Sequence, residues 1–283
     1  MNDSLGRITA IAGTTVTELS RLKIFYVLLL FALVLIGSSV FVARLSFQAE
    51  FQVLKDVSLG AISIFSSVLA LIASARLLPQ DLEDRTAYTI LAKAVPRFEY
   101  LIGKLLGVLL LLVISTAIMA AMFFAALYLR EQSALTEASR QPAAEEAVRA
   151  VRAAGFQPAL AEAIVSVFIK AAVLASLTLF VSTFATSTIF TIVVAVFVYF
   201  IGHLQSTARE FWLQEQSSGW AARIFLACVA LIIPDLQSFD FSEQIVAGAA
   251  VPHRLLLEAF ALGGFYIVIY LLLSVAVFSK REL

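Results

Sequence analysis

The chain has 283 residues, of which 61% are hydrophobic and 14% are charged, with a mean hydropathy of +0.96 and zero formal net charge at pH 7. Soluble globular domains carry about 25% charged residues, so this composition excludes an ordinary soluble protein and indicates a chain largely surrounded by lipid. The balanced charge gives no indication of a nucleic-acid-binding surface. The single cysteine, Cys228, excludes an intramolecular disulfide.

Residues 1–23 predict an amphipathic helix before the first membrane span. Ser4 suits its N-cap, and the apolar residues recur at helical spacing. These apolar residues are Leu5, Ile8, Ile11, Ala12, Val16 and Leu19. Such a helix lies along the inner membrane face, with its basic residues near the lipid headgroups, or it packs on neighbouring protein as a lead-in helix. Both interpretations stay open.

Six later segments are apolar enough to cross a membrane. A crossing helix needs about 20 mostly apolar residues, because the hydrocarbon core is about 30 Å thick and a helix rises about 1.5 Å per residue. The segments are roughly residues 24–43, 59–77, 101–129, 163–184, 186–201 with its flanks, and 255–278. The sequence therefore predicts an all-α polytopic membrane protein with six transmembrane helices in one domain, residues 1–283.

The basic residues predict the orientation of these spans. With six spans both termini lie on one side, together with the loop at residues 78–100. The basic residues on that side are Arg7, Arg21, Lys23, Arg76, Arg85, Lys93, Arg97, Lys104, Lys280 and Arg281. Many lie next to a span end, so the positive-inside rule places both termini in the cytoplasm and the chain in the inner cell membrane.

Residues 78–97 predict a short cytoplasmic helix between the second and third spans. Pro79 suits a first helical position, and the helix dipole favours acidic residues in the turn that follows. Those acidic residues are Asp81, Glu83 and Asp84. Pro96 disfavours helical geometry at Val95, which predicts a break there. A charged connector of this kind is more often solvated than bound to a partner, so these residues alone assign it no role.

The opposite side carries two longer connections. Residues 130–162 predict an external loop with a short solvated helix, which Pro142 suits as a start and Gly155 as a cap. Residues 205–254 predict an external segment, in which residues 224–233 are apolar but too short to cross the membrane. We expect a re-entrant or interfacial helix there, before the last span. A seventh span is the competing interpretation.

The stretch at residues 78–107 resembles the cytoplasmic coupling region of type-2 ABC exporter permeases. In that family the region runs from an acid through Gly-Thr and a leucine-rich turn to Lys-Pro-Val-Ser-Arg and then Leu-Leu-Gly-Lys. The residues that match are Asp81, Thr86, Ile90, Leu91, Lys93, Val95, Arg97, Gly103 and Lys104. Two features depart from the pattern: Arg85 stands where glycine is usual, and Pro96 comes two positions later than the family's proline.

Three further segments extend the resemblance over nearly the whole chain. Residues 182–203 are similar to the family's hairpin between the fourth and fifth spans. Residues 231–241, "LIIPDLQSFDF", resemble its Pro-Asp/Asn-Leu…Phe-Asp/Asn segment between the last two spans, and the ending "FSKREL" resembles its arginine-rich end. The order and spacing of these segments are more specific than any one of them.

The resemblance implies a half-transporter. Two such permeases pair around a central path, and a separate cytoplasmic ABC ATPase subunit, which holds ATP and Mg, docks on each through the helix at residues 80–94. The contact and hinge residues implied for this coupling helix are Asp81, Glu83, Asp84, Arg85, Thr86 and Arg97. Membrane lipid surrounds the spans, and the resemblance leaves room for an extracytoplasmic accessory protein.

No catalytic or metal site is expected in this chain itself. Near Gly103 and Lys104, Phe98 and Leu105 occupy positions where a P-loop needs Gly and Ser or Thr. His203 and His253 have no spacing typical of a metal site. The chain therefore needs neither cofactor nor metal of its own, and energy comes from its partner.

Lys170 is the one charge inside a predicted span away from its ends. An intramembrane lysine either lines a path, extends to the headgroups or forms a structural pair, and we favour the last two. Three acidic residues of the second external segment form an outer rim or, more simply, cap short helices. They are Asp235, Asp240 and Glu243.

The sequence thus predicts the transmembrane subunit of an ATP-driven exporter. One alternative is a membrane anchor or scaffold, in which ATPase-driven motion moves no substrate. A less favoured alternative is an ion-coupled secondary transporter, which would have several buried charges near the membrane midplane.

Overall fold

The computed structural model describes residues 2–44, 50–83, 95–140, 144–214, 233–248 and 251–280. Within these ranges the chain is helical and has no β-strand. The helices are α1 (Asn2–Ser20), α2 (Lys23–Arg44), α3 (Glu50–Glu83), α4 (Arg97–Ala138), α5 (Ala144–Ala154), α6 (Ala159–Phe184), α7 (Thr188–Gln214), α8 (Ser242–Val246) and α9 (His253–Lys280), with a 3-10 turn at Gln237–Phe239.

In the described part of the chain, six helices are long and apolar enough to cross a membrane: α2, α3, α4, α6, α7 and α9. The all-α fold and the number of membrane-crossing candidates are therefore confirmed. Two of these helices are longer than their apolar runs. The 42 residues of α4 extend roughly 63 Å at about 1.5 Å per residue, twice the thickness of a hydrocarbon core.

Of the six crossing candidates, α3 and α6 lie at the centre of the bundle, α4 is intermediate, and α2, α7 and α9 lie at the periphery. α6 packs against α3, α4, α7 and α9, and α3 packs against α2, α4 and α7. By contrast α2, α7 and α9 turn large apolar side chains outward, among them Phe31, Ile189 and Leu257. Such outward apolar faces suit contact with lipid.

α1 packs along the first turns of α4 through two glycines. A Cβ at Gly103 would lie 2.7 Å from the Cβ of Ile11, and one at Gly107 would lie 2.6 Å from the Cβ of Thr15. These distances are shorter than real side chains allow, so glycine is needed for the two helices to approach this closely. Of the two interpretations of the N-terminal helix, the structure shows packing on protein.

The expected start of a helix at Pro79 is wrong, because α3 continues through Pro79 to Glu83. Proline inside a crossing helix is tolerated where neighbouring groups satisfy the freed carbonyl. The rest of the expected coupling helix, residues 84–94, lies outside the described residues. The expected break before the third span is present: Val95 and Pro96 are not helical, and α4 begins at Arg97.

Residues 233–248 follow α7 and precede α9 in the sequence, and they pack back onto the bundle. We call them the returning segment. They contact α3, α6, α7 and α9 through the 3-10 turn and α8. Leu236 and Phe239 are buried there. Most of the apolar stretch expected as a re-entrant or interfacial helix, residues 224–232, lies outside the described residues.

Candidate functional site

The bundle carries buried charges at both ends. The basal end is formed by α1, the last turn of α3, the first turns of α4 and the last turn of α9. The apical end is formed by the first halves of α3 and α6, the returning segment and the start of α9. Ionised groups buried in an apolar protein are costly unless paired, so each such pair is a candidate functional or structural site.

The basal end is centred on an ion pair between Asp81 and Lys104. The Lys104 ammonium lies 2.6 Å from the Asp81 carboxylate, and the two side chains are only 6% and 7% exposed. The Tyr100 hydroxyl donates a hydrogen bond to the same carboxylate oxygen. Tyr100 is itself buried and stacks on Phe278 of α9. One carboxylate thus connects α3 to α4 and, through the tyrosine ring, to α9.

α1 joins this cluster at both of its ends. Glu18, near its C-terminus, lies 3.5 Å from the Lys104 ammonium. Near its N-terminus Arg7 donates two hydrogen bonds to Glu99, at 2.7 and 2.9 Å, and Ser4 donates a third at 2.7 Å. A bidentate arginine–carboxylate pair fixes geometry as well as charge, so the register of α1 on α4 is set at two points.

Arg97 fastens the start of α4 to the end of α9. Its guanidinium donates hydrogen bonds to the carbonyls of Phe278 and Ser279, at 2.8 and 2.7 Å. It also lies 5.9 Å from the centre of the Phe278 ring. These carbonyls belong to the last turn of a helix, where backbone acceptors lack intrahelical partners and a positive charge is favourable.

The described residues of the predicted contact set do not share one exposed surface. Asp81 is buried in its pair with Lys104, and the half-buried Arg97 holds the start of α4 to the end of α9. Glu83 is exposed at the end of α3. The other members of the predicted set, Asp84, Arg85 and Thr86, lie outside the described residues.

At the apical end Lys170 forms a buried pair with Asp240 of the returning segment. The lysine is 1% exposed, and its ammonium donates hydrogen bonds to Asp240 at 2.5 Å and to Ser63 of α3 at 2.6 Å. Asp240 also accepts a hydrogen bond from the backbone N–H of Ser242, at 3.2 Å. One oxygen of Asp240 thus accepts from the first residue of α8, and the other pairs with Lys170.

The Asp240 carboxyl is held in its ionised form. Burial favours the neutral acid, but the Lys170 ammonium and the hydrogen bonds from Ser242 outweigh it, so the pKa of Asp240 lies below its ordinary value of 3.8. Because the folded pKa is the lower one, the stabilisation from this group is present at neutral pH. It is lost as the pH falls below about 4, through the folded pKa.

Two glycines, on α7 and α9, lie where the returning segment packs on the bundle. We call this packing surface the seat of the segment. The N–H of Leu236 donates to the carbonyl of Gly202 at 3.0 Å, and a Cβ at Gly202 would lie 2.9 Å from the carbonyl oxygen of Pro234. On α9 a Cβ at Gly263 would lie 2.5 Å from Ile169 and 3.5 Å from Phe239. The segment is therefore fitted between α7 and α9, with its carboxylate on Lys170.

The described residues contain no group of three or more His, Cys, Asp and Glu side chains that could hold a metal ion. His203 stacks on Tyr199, with ring centres 5.9 Å apart. His253 is exposed and lies 3.6 Å from Glu162.

Sequence patterns did not identify several members of these clusters. Glu99, Tyr100 and Glu18 were not expected at any site, and Asp240 was not matched to Lys170. One local signal was available: Gly103 and Gly107 have the G-x-x-x-G spacing that lets two helices approach closely. Comparison with known proteins found no matching protein-family model and no matching curated protein.

Proposed function

We propose that this chain is the transmembrane subunit of an ATP-driven transporter that exports its substrate across the cytoplasmic membrane. Energy comes from separate ATPase subunits, which hold ATP and Mg and dock at residues 80–94. Two copies of the permease enclose the path. The resemblance of residues 78–107 to the coupling region of type-2 ABC exporter permeases supports the family, and the fold supplies a chain with six helices of membrane-crossing length.

The observation that supports this proposal is how the described residues on either side of 84–94 are held to the bundle. On one flank Asp81 is paired with Lys104 of α4. On the other flank Arg97 binds the last carbonyls of α9. A partner that displaces this connection would therefore move three helices at once, because the buried Asp81–Lys104 pair is costly to break and Arg97 holds α9 through two hydrogen bonds.

The basal cluster also includes α1 in this movement. Lys104 is within 3.5 Å of Glu18, and Arg7 holds Glu99 in the first turn of α4. In the mechanism we propose, closure of the ATPase subunits moves residues 80–94 of each permease copy, and this segment acts as a lever. The movement passes through the Asp81–Lys104 pair to α4 and α1, and through Arg97 to α9, and re-packs the spans around the path.

A membrane anchor for a cytoplasmic complex would have the same fold and the same basal cluster. The two functions are separated by purifying the complex from native membranes, identifying its chains and bound small molecules by mass spectrometry, and reconstituting it in vesicles. Transport predicts an ATP-hydrolysing partner and ATP-dependent movement of the co-purified molecule across the bilayer. A stable partner complex that hydrolyses ATP without moving that molecule would identify an anchor.

A further inference from the structure

The apical charge pair joins two different parts of the fold. Lys170 lies on α6, the most buried of the crossing helices, whereas Asp240 lies between short turns of the returning segment. Asp240 reaches the lysine from outside the six crossing helices. The segment is therefore the part of the apical end whose displacement would separate the pair.

Displacement of the segment would leave Lys170 without its counter-charge. Its side chain is 1% exposed, so water does not reach it in the seated arrangement. An uncompensated charge in an apolar interior costs roughly several kcal/mol even after relaxation. The segment can therefore leave its seat at low cost only if another anion takes the place of the Asp240 carboxylate.

The groups around that carboxylate form an anion-binding arrangement. One oxygen of Asp240 accepts hydrogen bonds from the Lys170 ammonium at 2.5 Å and from the Ser63 hydroxyl at 3.3 Å. Lysine binds carboxylate or phosphate oxygens as a compact point charge, and a hydroxyl adds a directed donor. The oxygen of Asp240 stands where an oxygen of such a ligand would lie.

A small apolar gap lies between α6, the returning segment and α9. It is lined by Ser166 and Ile169 of α6, by Phe239 and Phe241 of the returning segment, and by Leu256 and Phe260 of α9. Ile169 is the neighbour of Lys170 in the chain. The gap is too small to hold a water molecule while the segment is seated. Departure of Phe239 and Phe241 would expose the apolar side chains of α6 and α9 that they cover, which favours a ligand with an apolar part as well as an anionic group.

We propose that Lys170 and Ser63 form a binding site for the phosphate or carboxylate group of an anionic amphiphile, and that Asp240 occupies this site as a tethered stand-in. The ligand displaces Asp240, and the returning segment leaves its seat between α7 and α9. That this ligand is the transported substrate rests on the function proposed above. The anion site itself does not, because it can be tested on the permease chain alone.

The test follows displacement of the segment with two cysteine reporters in a Cys228→Ala background. Ser166→Cys reports on the segment, because Ser166 is 3% exposed, lies beside Phe239 and Phe241 and bonds only to its own helix. Ser182→Cys is the control, because Ser182 is buried on the same helix at the basal end and also bonds to its own helix. Labelling by a maleimide is measured in vesicles of phosphatidylcholine, with or without phosphatidylglycerol, and with inorganic phosphate or chloride at equal ionic strength.

We expect slow labelling of Ser166→Cys in phosphatidylcholine with chloride and at least fivefold faster labelling with an anion. Acceleration by phosphatidylglycerol identifies a lipid headgroup as the source, and acceleration by phosphate identifies a free anion. Asp240→Asn should accelerate labelling without any anion. Asp235→Asn, in the same segment, should not, since its amide oxygen can still accept from Gln237 as Asp235 does.

The double variant Lys170→Met, Asp240→Asn separates an anion site from a general effect of charged lipid. With both charges gone the segment can stay seated, so labelling should be slow and insensitive to anions. The proposal is overturned if neither anion accelerates labelling, if the double variant still responds, or if Ser182→Cys accelerates equally, which would mean that the whole bundle has loosened. No ATPase subunit is present, so failure here leaves the proposed function standing, and failure to find an ATPase leaves this result unaffected.

Discussion

Asp81 and Lys104 lie at the two ends of the motif-bearing stretch and meet in a buried ion pair, with 2.6 Å between carboxylate and ammonium. Between them in the chain are residues 84–94 and the two anchors Arg97 and Tyr100. The pair therefore fixes the described residues on the two sides of this stretch to each other. Because the Asp81 side chain is buried in this pair, its role in the proposed docking would be to hold α3 to α4 and not to touch the partner.

Removing one charge of the Asp81–Lys104 pair should lower the free energy of unfolding more than removing both charges. Asp81→Leu leaves the Lys104 ammonium buried, and we expect a loss of about 3 kcal/mol in the free energy of unfolding. The double variant Asp81→Leu, Lys104→Met should lose less than half as much. Thermal unfolding in detergent measures both. Equal losses in the single and double variants would show that the pair contributes no coupling.

The two glycines at the contact between α1 and α4 should tolerate no larger residue. Gly103→Leu or Gly107→Val would collide with Ile11 or Thr15, and we expect α1 to separate from α4 at a cost of about 1–3 kcal/mol. Protease cleavage within α1 measures the separation. Gly60→Ala on α3 is the control: a Cβ there meets nothing within 4 Å, and its cleavage rate should equal the wild type.

The Arg7–Glu99 pair should hold the N-terminal half of α1 in place. Arg7→Gln removes a bidentate partner from Glu99, whose side chain is 2% exposed, so we expect faster hydrogen exchange over residues 4–12. Arg149→Gln is a matched control, because its pair with Glu145 is 3.9 Å long and both side chains are exposed. That control should leave exchange in α1 unchanged, since exposed pairs contribute little. Equal exchange in Arg7→Gln and wild type would contradict a role for this pair.

The seat of the returning segment can be tested with two adjacent glycines. Gly263→Ala places a Cβ 2.5 Å from Ile169, near Phe239, and we expect a loss of about 1–3 kcal/mol in stability. Gly264→Ala meets nothing within 4 Å and should be neutral or stabilise α9 by about 0.5–1 kcal/mol. Thermal unfolding distinguishes them. A reversed order would mean that α9 packs differently from the arrangement described above.

Local sequence patterns were sufficient to predict the helices but not their contacts. Runs of apolar residues mark α2, α3, α4, α6, α7 and α9, because apolar length alone decides whether a helix can cross lipid. The end of α3 was mispredicted because Pro79 suits a helix start, whereas tertiary contacts carry the helix past it. Proline does favour the first position of a helix, but here the packing of α3 outweighs that preference.

The charge pairs could not be predicted because they join residues far apart in the chain. The isolation of Lys170 in an apolar span indicated that a partner was needed, but three acidic residues of the second external segment were equally suitable. Only the return of residues 233–248 into the bundle selects Asp240. Likewise Asp81 and Glu83 are two nearby acidic residues that the sequence does not distinguish. Only the fold shows that Asp81 is buried and Glu83 is exposed.

The central claim, that residues 80–94 dock an ATPase subunit, is tested most directly by charge reversal at Glu83. This residue is exposed at the end of α3, so Glu83→Lys should leave the fold intact. The control is Glu145→Lys, an exposed acid on α5. The measurement is the ATP hydrolysis that co-purifies with the tagged chain from native membranes. We predict strong hydrolysis with the wild type and the control, and at least a tenfold loss with Glu83→Lys at equal yield of folded chain. Equal hydrolysis in all three, or none with the wild type, would contradict the docking of an ATPase at this site.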